Sequence, residues 1–152
     1  MTVNPQVGLA VFIGLVATIE DLAKREIPNW IPVTASIGGL AAAGYMAGWR
    51  GIGSSLLGLV LGFAAFLLFY VLGGMGGGDI KLMAGLGAIL GSGRILEAAL
   101  WTAGVGGVMA AVVVAAGLLR PARGNEPKHK KQYIPYAPAI AAGAWIALVP
   151  KG

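Results

Sequence analysis

The stretch Gly73-Gly74-Met75-Gly76-Gly77-Gly78-Asp79-Ile80-Lys81-Leu82 places one carboxylate directly after a run of glycines, between two long apolar segments. The chain around it has 152 residues, of which 57% are hydrophobic and 11% are charged. Its mean hydropathy is +0.81. Soluble domains carry about 25% charged residues, so this composition predicts an integral membrane protein. A charge at Asp79, in such a chain, indicates a functional group.

The apolar segments on both sides of the glycine run predict an all-α, polytopic bundle of about six transmembrane helices. Their predicted bounds are 7–19, 30–48, 52–72, 80–90, 98–119 and 134–149. The fourth is short, because eleven residues reach about 16 Å, roughly half of the hydrocarbon core. Either this helix continues towards Glu97 or Asp79 begins below the membrane surface, and we expect some of both. We expect one domain over residues 1–152, with Pro28 at the beginning of the second helix.

Basic residues are unevenly distributed between the two sides of this predicted bundle. Loops one and five hold seven of them: Lys24, Arg25, Arg120, Arg123, Lys128, Lys130 and Lys131. The opposite side holds three: Arg50, Arg94 and Lys151. The positive-inside rule therefore predicts that both termini lie outside and that Asp21 and Asp79 share the cytoplasmic face.

Asp21 and Asp79 are the predicted active pair. Two neighbouring carboxylates do not both ionise readily, so one retains a proton while the other stays charged. Such a pair can activate a water and protonate a leaving amine, which hydrolyses a peptide without a metal. Three glycines are expected to let a substrate strand approach closely, and positive φ is expected at Gly78. They are Gly76, Gly77 and Gly78.

Structural roles are the alternatives for these charged residues. Asp79 could be a helix N-cap. Asp21 could be a solvated residue near a helix C-terminus, although the macrodipole disfavours an anion there. Glu20 and Glu26 are expected to be solvated or paired with Lys24 and Arg25. Lys81 is expected to face lipid headgroups, with tuning of Asp79 as the alternative.

Three segments together resemble the type IV prepilin peptidases, the GxGD family of intramembrane aspartyl proteases. The first is Asp21 followed by Arg25-Glu26-Ile27-Pro28-Asn29. The second is Gly74-Met75-Gly76-Gly77-Gly78-Asp79-Ile80-Lys81. The third is Ile134-Pro135-Tyr136-Ala137-Pro138-Ala139-Ile140-Ala141-Ala142-Gly143.

The resemblance implies that Asp21 and Asp79 are the catalytic pair of an aspartic-type endopeptidase in the inner (cytoplasmic) membrane of the cell. Its substrates would be prepilins or pseudopilins, cleaved on the cytoplasmic side after a glycine and before the hydrophobic pilin helix. Supporting roles are expected for Arg25, Pro28, Asn29, Lys81, Pro135 and Pro138.

The resemblance also implies a branch within that family. Larger members methylate the new N-terminus with an extra domain that often has paired CxxC motifs, whereas this chain has no cysteine. The chain is similar to the short, peptidase-only members of Tad-type (Flp) pilus systems, so no N-methyltransferase activity is expected. Archaeal preflagellin peptidases are similar too.

Composition also indicates which metals, cofactors and partners to expect. With no cysteine and a single His129 in a basic loop, we expect no metal and no cofactor. The net charge of +5 indicates anionic membrane lipids as a partner, and not nucleic acid. The oligomeric state is open. The rival function is a transporter or pilus-assembly scaffold that uses Asp79 as an ion or proton site. A transporter site would lie near mid-membrane, whereas a leader peptidase needs both aspartates at one face.

Overall fold

Helices account for almost all of the residues that the structure, a computed structural model, describes: 4–72, 75–119 and 135–149. They are α1 (Pro5–Lys24), α2 (Trp30–Val71), α3 (Gly77–Leu90), α4 (Ser92–Leu119) and α5 (Ala137–Leu148). These ranges contain no strand, so the predicted all-α class is confirmed. By length and composition, α1, α2 and α4 can each cross a membrane.

The predicted second and third spans are the two arms of α2, a helix of 42 residues. The described residues therefore contain five helices, one fewer than the six or so predicted, because two predicted spans are joined in α2. The arms divide at Gly48, whose φ of 57° and ψ of −139° are not helical. A Cβ on Gly44 would lie 3.2 Å from the Ile52 side chain. Eight residues of straight helix span about 12 Å, so this proximity requires the chain to reverse at Gly48.

Helix ends also differ from the predicted bounds. The first helix extends to Lys24, beyond its predicted end at 19, and Asp21 lies in its last turn. The helix predicted at 80–90 is α3, which ends at Leu90 because Gly91 has a φ of 72°. The alternative that this helix continues towards Glu97 is wrong, since Glu97 belongs to α4. The last helix begins at Ala137, whereas 134 lies outside the described residues.

The short helix after the glycine run, α3, lies between the two arms of α2. Eleven of its 14 residues are buried, as expected for a helix that is apolar on every side. A Cβ on Gly39 of one arm would lie 2.6 Å from the Ala88 backbone. On the other arm, a Cβ on Gly62 would lie 2.6 Å from the Met83 carbonyl oxygen. Small residues thus let three backbones pack closely and fix the position of Asp79.

Candidate active site

Asp21 is buried and is held by a helix that begins 116 residues later in the chain. Its side chain is 4% exposed, so the alternative of a solvated residue is wrong. Its Oδ2 accepts the N–H of Ala137, the first residue of α5, at 3.0 Å. The C-terminus of α1 disfavours an anion here, but the N-terminus of α5 favours one. Asp21 therefore satisfies one of the N–H groups that α5 cannot bond internally.

Asp79 is buried at the beginning of α3, with 5% of its surface exposed. The N-cap of α3 is Gly76, so the alternative that Asp79 is itself the N-cap is wrong. Asp79 instead lies in the first turn, and its Oδ2 accepts the Gly76 N–H at 3.1 Å. This helix is not among the three that can span a membrane. Burial raises the pKa of Asp79 to about 6, the Gly76 hydrogen bond opposes this rise, and the charge of Asp21 adds to it.

Both carboxylates line one cavity of about 190 Å³. The other lining residues are Arg25, Glu26, Ile27, Gly76 and Gly78. They come from the segment between α1 and α2 and from the residues around the beginning of α3. A water occupies about 30 Å³ of liquid volume, so the cavity has room for water and part of a peptide backbone. The arrangement is suited to proton transfer between two carboxyl groups and a bound peptide.

The three predicted glycines differ in their surroundings. Gly76 and Gly78 line the cavity of the aspartates, whereas Gly77 does not. The prediction of positive φ at Gly78 is wrong, because Gly48 and Gly91 are the glycines in the described ranges that have it. Gly78 is closely packed, since a Cβ there would lie 3.1 Å from the Ile27 Cβ and would require a shift of a few tenths of an ångström.

Of the other charged residues near the site, two line the cavity and two pair with each other. Arg25 lines it and ends α1 with a φ of 56°. Glu26 is exposed and also lines it, a placement that sequence reasoning missed. Glu20 pairs with Lys24 at 2.8 Å, which confirms that prediction.

Lys81 and Asn29 lie together but away from the aspartates. The Lys81 Nζ donates to the Asn29 Oδ1 at 2.9 Å. Both residues line a second cavity, of about 350 Å³, that does not include either aspartate. Pro28 precedes α2, and its carbonyl accepts the Ile31 N–H at 3.1 Å. The structure thus brings Asp21, Asp79 and Arg25 together, and it separates Lys81 from them.

The Pro-rich entry to the last helix acts through its backbone. Pro138 occupies the first turn of α5, where its missing N–H leaves no unpaired donor. Pro135 lies just before that helix. Sequence reasoning missed the Ala137 N–H as a partner of Asp21. The signal for it was Pro138, which marks a helix beginning and hence a set of unbonded N–H groups.

Metal ligands and membrane orientation were the remaining sequence predictions for the site. The described ranges contain no group of three or more His, Cys, Asp or Glu side chains that could hold a metal ion. His129 and the basic loop 120–132 lie outside the described residues. The predicted orientation therefore stays a prediction.

The amino-acid sequence that forms this site is similar to the sequences of an enzyme family. Residues 8–117, which include both aspartates, match the type IV leader peptidase family. The chain is 34% identical over 141 residues to the prepilin leader peptidase/N-methyltransferase of Bacillus subtilis (strain 168), covering 90% of this chain and 53% of that protein. It is 30% identical over 161 residues to the protein of the same name from Aeromonas hydrophila, covering 98% and 52%.

An archaeal relative matches over a shorter range. The preflagellin peptidase of Methanococcus voltae is 37% identical over 80 residues, which cover 50% of this chain and 34% of that protein. No solved structure matches the chain at a significant level. The chain spans about half the length of the two bacterial relatives. On the family match and these identities, the chain belongs to the type IV leader peptidase family.

Proposed function

We propose that this chain is a membrane aspartyl endopeptidase that removes the leader peptide of type IV prepilins. The observation that carries the proposal is that Asp21 and Asp79, from different helices, are both buried and line one cavity. Family membership supports the peptidase over the transporter or scaffold alternative. The names of the bacterial relatives support prepilins as the substrate class.

Narrower parts of the proposal rest on the sequence. We assign the substrates to Tad-type (Flp) pilins by the resemblance described above and by the lack of cysteine. The bacterial relatives are also named N-methyltransferases, but we assign only cleavage to this chain. The basic asymmetry supports an inner-membrane protein with the site facing the cytoplasm. A single cysteine introduced at 120–132 should be labelled from the cytoplasmic side, and external labelling would contradict this orientation.

The two carboxylates are proposed to have different protonation states. Asp21 is assigned as the general base. The N-terminus of α5 and the Ala137 N–H stabilise its charge, as the N-terminus of α3 and the Gly76 N–H do for Asp79, so the assignment depends on the pKa of Asp79. Asp79 is the general acid, because burial raises its pKa to about 6 and the negative charge of Asp21 adds to that rise. In each carboxylate Oδ2 accepts a backbone N–H, so Oδ1 is the oxygen assigned to the chemistry.

Cleavage proceeds by attack of water on the peptide carbonyl carbon. Asp21 Oδ1 takes one proton from this water as the new C–O bond forms. Asp79 Oδ1 gives its proton to the peptide nitrogen as the C–N bond breaks. The products are a carboxylic acid and an amine, and a proton passes from Asp21 to Asp79 to restore the starting state. General acid–base catalysis of this kind contributes about 10²- to 10⁴-fold per group.

The test is cleavage of a co-expressed Flp-type prepilin by Asp21→Asn and Asp79→Asn variants, followed as leader loss on a gel. Each variant should lose at least about 10²-fold in rate, because an amide neither accepts the proton of water nor donates one readily. Glu20→Gln is the matched control, one residue from Asp21, and should cleave at the parental rate.

Both aspartates also bond a helix N-terminus, so a structural role needs its own control. The Asn side-chain oxygen can accept the same N–H from Ala137 or Gly76, and thermal unfolding of both variants should stay close to that of the parent. A purely structural role predicts parental cleavage by such folded variants. Cleavage near the parental rate by either variant, at matched expression, would refute the proposed mechanism.

A further inference from the structure

A second cavity, of about 350 Å³, lies beside the active site and has one polar end. Lys81 and Asn29 form that end and are joined by a hydrogen bond of 2.9 Å. Most of the remaining lining is apolar: Pro32, Val33, Ile37, Phe63 and Ala84. The Ser36 hydroxyl also lines it, but it donates to the Pro32 carbonyl at 2.8 Å and so adds no free donor.

The polar end has features of a membrane interface. Asn29 is the N-cap of α2, and Trp30, beside it, is 52% exposed. Tryptophan is enriched at headgroup level. From there the cavity follows the first arm of α2, since Val33 and Ile37 are one helical turn apart. Val33 is 54% and Ile37 64% exposed. The cavity thus runs from a polar end at the interface along an apolar, outward-facing wall.

The charge at the polar end is not neutralised within the described ranges. Lys81 is exposed and makes no ion pair with an acidic side chain there. Its ammonium has three donors, and one is used on Asn29. The Asn29 Oδ1 accepts that bond, and the side-chain NH₂ group of Asn29 donates no hydrogen bond to another described residue. The positive end of the α2 dipole lies at the same place.

We propose that this cavity binds an anionic phospholipid. The phosphate group is held by Lys81 Nζ and by the side-chain amide of Asn29, and one acyl chain lies along Val33, Ile37 and Phe63. An ammonium next to two amide donors complements a phosphodiester, and the apolar wall complements an acyl chain. A substrate helix is the competing occupant. The lipid is favoured because neither aspartate lines the cavity and because Lys81, at its polar end, forms no ion pair with a described acidic residue.

The test is native mass spectrometry of the purified protein in neutral detergent. Phosphatidylglycerol and phosphatidylcholine with identical acyl chains are the two probes. One basic residue near a membrane surface contributes about fivefold to the binding of anionic lipid. Phosphatidylglycerol should therefore form adducts at about fivefold lower concentration, and Lys81→Gln should abolish this preference. Lys81→Arg should retain it.

Two further variants separate the headgroup from the chain contact. Lys24→Gln is the charge-matched control and should keep the preference, because Lys24 is already paired with Glu20. Val33→Trp fills the apolar wall and should weaken both lipids while the preference remains. Circular dichroism verifies that each variant is folded.

The binding assay does not depend on peptidase activity, so it tests the lipid site independently of the proposed function. An unchanged preference in folded Lys81→Gln, or unchanged binding of both lipids by Val33→Trp, would overturn the proposal. Unchanged lipid binding together with an increased KM for prepilin in Lys81→Gln would overturn it in favour of a substrate helix.

Discussion

Alanine at Gly78 should impair cleavage, whereas alanine at the adjacent Gly77 should not. A Cβ on Gly78 would lie 3.1 Å from the Ile27 Cβ, but apolar carbons pack best at about 3.5–4.0 Å. One of the two backbones must therefore move by roughly 0.5 Å. A Cβ on Gly77 would lie 3.8 Å from Tyr70 Cε2, which is ordinary contact.

The expected loss of cleavage rate in Gly78→Ala depends on where that movement occurs. Gly78 and Ile27 both line the cavity of the aspartates, so the shift changes the separation of the elements that hold the two carboxyl groups. Overpacking of this kind costs about 1–3 kcal/mol. If that cost is felt in the transition state, the cleavage rate falls by about 5- to 150-fold. Helix propensity cannot explain a difference in cleavage rate between Gly77→Ala and Gly78→Ala, because both glycines are in the first turn of α3.

The assay is single-turnover cleavage of a prepilin by purified variants in one detergent, with thermal unfolding to verify the fold. Ile27→Gly removes the Ile27 Cβ, so combining it with Gly78→Ala removes the contact and should restore most of the lost rate relative to Ile27→Gly alone, as a double-mutant cycle detects. The reasoning is refuted if Gly77→Ala and Gly78→Ala lose rate equally. It is also refuted if Ile27→Gly restores none of the rate that Gly78→Ala loses.

Three further predictions concern protonation, the α2 reversal and cofactors. Burial raises the pKa of Asp79 to about 6, so its proton is retained below that pH and lost above it. A pH–rate profile should decline through this region by up to about tenfold per unit, and a flat profile from pH 5 to 8 would contradict the role of Asp79 as acid. Gly48→Ala should lower the free energy of unfolding by about 1–3 kcal/mol, because the φ and ψ of Gly48 suit glycine alone. Gly53→Ala, with open space around its Cβ, should not. Cleavage should persist in EDTA, and loss that a divalent ion restores would contradict the two-carboxylate mechanism.

The surroundings of some residues could not be predicted from the sequence, because those residues contact helices that are distant along the chain. Asp21 was predicted near a helix C-terminus, where an anion has no local partner. Its partner, Ala137, is 116 residues away, and no local pattern relates the two. Whether the Lys81 side chain lies near Asp79 depends on the residue at which α3 begins. Two residues along an α-helix differ in direction by about 200°, so Lys81 and Asp79 face different cavities once both are helical.

The amino-acid sequence by itself determined the all-α membrane class and the candidate pair of carboxylates. Those properties follow from local composition, because apolar segments partition into lipid as helices and isolated charges stand out within them. Tertiary structure alone decided that α2 reverses at Gly48 and that α5 begins against Asp21. It also decided that α3 lies between two helix arms. The physical reason is that composition determines which groups must be buried, whereas close packing of backbones at small residues determines which groups meet.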